Sequence, residues 1–345
     1  MHAMSRQPSL LITGAGGEIG QALIARLAGT SPARIITLDQ RPLPPNVAAK
    51  VHEHFVGDIL DSQLLQRMVA GYEVEQVFHL AALLSTRGEF SPLFAHKVNV
   101  EGTLNLLEFA QIQGESHGRP VMFFFPSSIA AHGLPSLEVK TAAGKVTEDE
   151  YTTPATMYGA NKLYCEIVGR YYEQRYKQLA AEHLSGKVDF RALRFPGLIS
   201  ADTLPSGGTS DYAPEMIHAA AQGTPYQCFV RPDSRIPFMA MPDAVDAILR
   251  LVAAPKARLT RTVYNIGAFA PTAEDITTVV KAAFPTADIG CTLDPKRQGI
   301  VDTWPADVDD TAARRDWGHA PKYDLATAFG EYLIPTIRRR YGDGR

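Results

Sequence analysis

The chain has 345 residues, 45% hydrophobic and 21% charged, enough to bury a large core in one large or two moderate domains. Its net charge of −3 leaves no basic footprint for nucleic acid. No apolar run approaches the roughly 20 residues of a membrane span, and residues 1–7 lack the apolar core of a signal peptide, so a cytoplasmic setting is expected. Cys165, Cys228, Cys291 and ten scattered histidines show no metal-ligand spacing; the cysteines read as buried small hydrophobes, and no metal is expected.

Residues 9–13 form a short apolar run of strand type, followed by Gly14-Ala15-Gly16-Gly17-Glu18-Ile19-Gly20 and a helical stretch at 21–28. Strand, glycine turn and helix arrive in the order that dinucleotide binding requires. Glycines at 14, 17 and 20 allow a tight turn, backbone approach to a pyrophosphate and helix–strand packing, with the phosphates at the positive helix N-terminus. Gly14, Gly17, Glu18, Ile19 and Gly20 are therefore candidate cofactor positions. A second strand at 34–38 ends at Asp39, about 20 residues past the loop, where a carboxylate binds adenosine ribose hydroxyls. That charge repels a 2′-phosphate and favours NAD over NADP, although Arg41 lies close by.

Further strands are expected at 53–56, 76–80, 121–125 and 190–194, with helices near 62–69, 94–113 and 157–182. Their alternation predicts a parallel sheet with helices on both faces. Asp58, with Ile59, follows a strand and can accept from an adenine amino group. Leu80, Ala81 and Ala82 end the next strand with small side chains that leave room for a cofactor. Asn99 puts a buried amide in a helix, where it needs a water or a backbone carbonyl as partner. Ser128 stands at the C-terminal end of a strand, facing the crevice where such sheets bind ligands. Tyr158 and Lys162 then share a helix face at i and i+4. A tyrosine ionises near pH 10, and a neighbouring cation lowers the cost of the phenolate, which makes Tyr158 a candidate general base for an alcohol.

Past Pro196 the texture changes. Turn-formers cluster at 204–209, shorter elements follow, and Arg338-Arg339-Arg340 ends a helix as a solvated cationic terminus.

The glycine loop, the acid after the second strand, the serine and the Tyr-x-x-x-Lys together resemble the extended short-chain dehydrogenase/reductase superfamily. The resemblance implies an α/β Rossmann-type doubly wound parallel sheet. Residues 8–200 would form the NAD-binding domain, with sheet-completing segments from about 235–270, and 201–340 mainly a small C-terminal substrate-binding lobe. It also implies catalytic roles for Ser128, Tyr158 and Lys162, with Lys162 binding the nicotinamide ribose, and it places Phe195 in the segment running past the nicotinamide. Family helices near 94–113 and 157–182 pair across a homodimer, with Leu104, Leu107 and Ile112 as candidate contacts.

Longer strings, including residues 83–85, 207–213, 235–243, 302–305 and 309–318, resemble the short-chain type of L-threonine 3-dehydrogenases. That resemblance implies NAD-dependent oxidation of L-threonine to 2-amino-3-oxobutyrate. Ser85, Ser128, Thr209, Asp211 and Trp304 become candidate substrate contacts, Asp211 for the ammonium and Trp304 as a wall; a capped turn and a core aromatic are the plainer readings of the last two. Departures are Thr86-Arg87 and the extensions 132–153 and 177–187. Arg231 and Arg235 could clamp a diphosphate, so a nucleotide-sugar epimerase or dehydratase with retained NAD is the alternative. An inward Arg87 would favour another small hydroxy acid, and a non-catalytic NAD sensor is a further alternative.

Overall fold

The apolar runs of the sequence lie side by side in one sheet. The computed structural model describes residues 8–180, 186–205 and 207–342. The sheet comprises β1 (Pro8–Thr13), β2 (Arg34–Asp39), β3 (Glu53–Val56), β4 (Glu73–His79), β5 (Val121–Ser128), β6 (Val188–Phe195) and β7 (Val263–Asn265). Their spatial order is 7-6-5-4-1-2-3, and each neighbouring pair is parallel. The winding reverses between β1 and β4, which puts a ligand crevice at the C-terminal ends of those strands.

Alternation within the strands builds two cores. The longer helices are α1 (Glu18–Leu27), α2 (Ser62–Gly71), α3 (Gly102–His117), α4 (Met157–Gln174), α5 (Tyr212–Gln222), α6 (Met241–Ala253), α7 (Ala273–Ala283) and α8 (Pro295–Thr303). Leu11, Phe123 and Phe125 pack against Leu64 of α2, Leu107 of α3 and Cys165 of α4. Leu10, Ile12 and Phe124 pack on the opposite face with Leu23 of α1 and Ile248 of α6. Each such side chain contributes roughly 1.5–3 kcal/mol by leaving water. A third core holds the C-terminal lobe, with Tyr212, Phe229, Phe238, Trp304 and Phe329.

Arg191 stands in the apolar strand β6 and is nearly fully buried. Its Nη1 donates to the carbonyls of Leu251 (2.7 Å), Val252 (3.0 Å) and Ala254 (2.7 Å) at the end of α6, and Asp189 accepts from its Nη2 at 2.6 Å. A cation thus sits at the negative end of a helix and satisfies carbonyls that the helix leaves open.

Several expectations are corrected. The helix expected to run to 182 ends at Gln174, since Arg175 leaves helical geometry there and Lys177 is left-handed; residues 181–185 lie outside the described residues. The helix expected at 94–113 is present and runs without a gap from 92 to 117, with a wide π turn at Lys97–Glu101 between Pro92–His96 and α3. The Asn99 carbonyl in that turn accepts from the Thr103 hydroxyl at 2.5 Å and from Cys165 Sγ at 3.3 Å. Cys291 is exposed, unlike the buried Cys165 and Cys228, because it ends a short strand at the lobe surface. Leu107 is fully buried in its own sheet's core and faces no partner. Within the extension 132–153 lie a short helix, Leu137–Ala143, and a two-residue strand, Lys145–Val146, that pairs with Asp307–Val308. Among the described residues no helix is long and apolar enough to cross a membrane.

Replacing Arg191 by Met leaves three carbonyls short of a donor, while Asp189 keeps Lys256 at 3.0 Å. A buried polar group left without its partner costs about 1–3 kcal/mol, so chemical denaturation should show an Arg191→Met midpoint below that of the parent chain.

Candidate active site

The crevice opens where β1 passes into the glycine loop. Gly14 has φ of +67°, and a Cβ there would lie 2.6 Å from the Ala81 nitrogen; no L side chain fits that turn without displacing the backbone of β4's exit. Helix α1 starts at Glu18 with no side-chain cap, so its first N–H groups are open to an anion. Asp39 Oδ2 accepts from Gly16 N at 3.0 Å and Oδ1 from Arg41 N at 3.2 Å, which holds the acid over the loop. Asp58 accepts from Gln40 Nε2 and from Leu60 N, both at 2.9 Å, while Ile59 is buried against Gly102. Leu80 and Ala81 donate to Thr13 O (3.0 Å) and Thr13 Oγ1 (3.4 Å), leaving the strand ends flat and small-sided. Open helix donors, a cradle that a methyl group would fill and an acid at the second strand are what a dinucleotide needs, so these residues fit NAD.

Asn99 is buried, and its partner is a backbone unit: Oδ1 accepts from Leu83 N at 2.7 Å and Nδ2 donates to Leu83 O at 3.0 Å. The Phe195 ring lies in the core, edge-on to Phe124, so only its backbone can face the crevice. Ile19 likewise packs into the core beneath α1. Glu18 turns toward the C-terminal lobe. Burial and the facing Asp211 carboxylate push its carboxyl up to about 7, with the nearby Thr203 hydroxyl acting in the opposite direction.

At the catalytic candidates, Ser128 ends β5 and its hydroxyl bonds both Ala130 N (3.1 Å) and the Tyr158 phenol. Thr156 caps α4 through Gly159 N at 3.0 Å, fixing the first turn that carries Tyr158. Lys162 Nζ donates to Pro126 O at 2.6 Å and lies 5.4 Å from the Tyr158 ring centre. Lysine was expected to lower the phenol's pKa. Instead burial pushes Tyr158 up to about 12, with only the Ser128 hydrogen bond opposing it, and burial brings Lys162 down to about 8. The ammonium is committed to a carbonyl, and desolvation exceeds the pairing.

Across the crevice, Ser85 Oγ and Thr209 Oγ1 are both buried and 3.2 Å apart, and Thr86 Oγ1 donates to Gly207 O at 2.9 Å. Asp211 Oδ2 accepts from Gly208 N at 2.7 Å, so the capped-turn reading holds for its side chain, and the same carboxylate acts on Glu18. Trp304 is buried in the lobe core, the same apolar cluster that Tyr158 packs against. Arg87 is exposed. Arg231 is bidentate on Asp302 at 2.9 Å per contact, and Arg235 donates to Ala270 O at 2.5 Å.

Two buried networks escaped the sequence reading. Thr13 Oγ1, His79 and Thr103 form a chain at 2.8 and 3.0 Å that ends on the Asn99 carbonyl. Because Thr103 donates onward, His79 carries its proton on Nε2; burial, then the Lys162 charge, push its pKa down to about 3. Arg194 holds Glu166 at 2.9 and 2.6 Å, and Ser127 donates to the same carboxylate. A histidine and an arginine inside apolar strands were the available signals, since buried polar groups need partners.

The model of the NAD dependent epimerase/dehydratase family matches residues 10–267. The chain belongs to this family. It is 35% identical over 320 residues to the mitochondrial L-threonine 3-dehydrogenase of Bos taurus, covering 92% of this chain and 80% of that protein. The structure of a monomeric L-threonine 3-dehydrogenase from a metagenome database, in apo form, superposes with a TM-score of 0.84 at 33% identity, covering 96% of this chain and 100% of that one. The holo form of the L-threonine dehydrogenase of Cupriavidus necator gives 0.83 at 34%, covering 97% and 100%. The family and these relatives together make the cofactor NAD and the chain an NAD-dependent dehydrogenase.

Two outcomes follow from this geometry. Gly14→Ala should weaken NAD binding at least about tenfold by calorimetry, since the methyl group displaces backbone at the cofactor cradle. For His79, the folded pKa is depressed from 6.5 to about 3, so its contribution to stability is complete above pH 6.5 and is lost as pH falls through the window below it. Denaturation at stepped pH should show wild type losing about 1.4 kcal/mol per pH unit more than His79→Gln over that window.

Proposed function

We propose that this chain oxidises the β-hydroxyl of L-threonine with NAD, giving 2-amino-3-oxobutyrate, NADH and a proton. What supports the reading is the grouping of Ser128, Tyr158 and Lys162 together with the paired hydroxyls of Ser85 and Thr209, while the cations that a sugar-nucleotide diphosphate would need, Arg231 and Arg235, are engaged within the lobe. The names of the relatives support the same substrate.

In this reading Ser128 holds the substrate oxygen and Tyr158 takes its proton. Lys162 binds the nicotinamide ribose. Bound NAD supplies the hydride acceptor and a positive ring charge. A positive charge beside Tyr158 favours its phenolate and offsets the burial that holds its pKa high. Asp211 pairs with the ammonium, Ser85 and Thr209 fix the carboxylate, and Trp304 backs the pocket. Gly14, Gly17, Glu18, Ile19 and Gly20 cradle the pyrophosphate, Asp39 takes the adenosine ribose, Asp58 and Ile59 take the adenine, and Leu80, Ala81, Ala82, Asn99 and Phe195 line the nicotinamide half. Residues 8–200 thus serve the cofactor and 201–340 mainly the substrate.

The exposed side chains of Ile112 on α3 and Tyr164, Ile167 and Tyr171 on α4 support a homodimer through those helices, which light scattering checks against the monomer named for one relative. Use of NAD and three free cysteines support a cytoplasmic site of action.

The deciding experiment follows NADH formation with L-threonine, its stereoisomers, L-serine, short hydroxy acids and UDP-sugars. L-Threonine should be turned over fastest; silence toward it beside activity on a UDP-sugar or a hydroxy acid would overturn the reading. Tyr158→Phe should lower kcat by about 100-fold or more with NAD affinity retained. In wild type, kcat/KM should climb with pH on the alkaline side of neutrality, because the base form of Tyr158 is the minority species below about 12.

A further inference from the structure

The loop that carries Thr209 and Asp211 is held from two sides. Thr86 of the nucleotide-binding half donates to the carbonyl of Gly207. On the other side, Arg297 of α8 donates through Nη2 to the carbonyl of the next residue, Gly208, at 2.7 Å. Adjacent carbonyls of one short strap are therefore drawn toward opposite walls of the cleft.

Arg297 is itself rigidly mounted. Asp294 caps α8 by accepting from Lys296 N (2.9 Å) and Arg297 N (3.2 Å). The Arg297 guanidinium lies flat on Phe229, with Cζ 3.3 Å from the ring centre, and Phe229 is buried in the lobe core. Stacking on an aromatic face leaves the in-plane N–H donors free at the edges. One of them reaches Gly208 O, while Nε is buried and has no hydrogen-bond partner. A guanidinium with an unpaired, desolvated nitrogen costs stability, so its placement calls for a gain elsewhere.

We propose that Arg297 is a positioning residue for the amino-acid substrate. It acts through the Gly208 carbonyl to hold the Gly207–Asp211 strap, so that the Thr209 hydroxyl meets Ser85 and the Asp211 carboxylate stands toward the cleft. The substrate named here rests on the L-threonine reading; the mechanical role of Arg297 does not. Sub-ångström placement of polar groups is what separates a productive complex of a small substrate from a loose one, and the strap has no large cofactor-like moiety to order it.

The test compares wild type with Arg297→Met, which keeps apolar packing on Phe229 and removes the donor, and Arg297→Lys, which restores a donor. With saturating NAD, the Met variant should raise KM for L-threonine about tenfold or more, the range of one charge-assisted hydrogen bond, with a smaller change in kcat and unchanged NAD affinity. The Lys variant should recover part of the loss. Independently of turnover, amide hydrogen exchange at residues 207–211 should quicken in the Met variant. Unchanged KM and unchanged exchange overturn the proposal, as does an equal loss of NAD affinity or a Lys variant no better than Met, either of which marks a general loss of lobe structure. If wild type ignores L-threonine, the substrate reading fails; the exchange result, and KM for the alcohol that wild type does oxidise, then decide the role of Arg297.

Discussion

Glu166 and Arg194 meet inside the protein as a bidentate ion pair, both side chains almost wholly shielded from water. Tyr158, Lys162 and Glu166 follow one another at four-residue intervals along α4, so the pair anchors the same helix face that presents the two catalytic candidates. The sheet supplies the other half of the geometry. Ser127 is opposite Arg194 in the β5–β6 register, and Ser128 is opposite Phe195. Ser127 also donates to Glu166, so the strand bearing the Ser128 hydroxyl and the helix bearing the phenol are tied at one carboxylate. A buried ion pair recovers its desolvation cost only with good geometry and full hydrogen bonding, and here Arg194 also donates to Glu148 O at 2.7 Å.

That anchoring explains why the cleft can keep two costly groups. A phenol pushed toward about 12 and an ammonium brought down to about 8 both report strong desolvation, and neither is relieved by the other. The fold tolerates this because each has a fixed neutral partner, Ser128 for one and the Pro126 carbonyl for the other. The site is thus set for charge that arrives with its ligands rather than for charge stored in the resting protein.

Much of this was legible in the sequence, because it is local. The glycine loop and Asp39 are turn and strand-end signals, and the spacing of Tyr158 and Lys162 is a helix-face signal. The alternating strands announced a parallel sheet, but not its 7-6-5-4-1-2-3 order, since pairing between β7 and β6 joins residues some 70 positions apart that no short-range period records. The Asp302 that engages Arg231 was invisible for the same reason. So was the stacking of Arg297 on Phe229. Trp304 showed its size but not its neighbours: it lies in a core shared with Tyr158. The lysine's effect on the tyrosine was misjudged because spacing gives proximity, whereas the pKa depends on solvent access.

The wide turn at Lys97–Glu101 also acts as a phase shifter. One extra residue in a helical turn rotates everything beyond it by about 100°. The side chains before it, Leu93 and Phe94, look outward to solvent, while Leu106 and Leu107 beyond it look into the sheet. Ala95 before the turn is buried and Ile112 beyond it is exposed, so each segment carries an inner and an outer face, and the inserted residue sets the phase between them. Its deletion would rotate the faces of α3 by about 100° relative to those of the preceding turns.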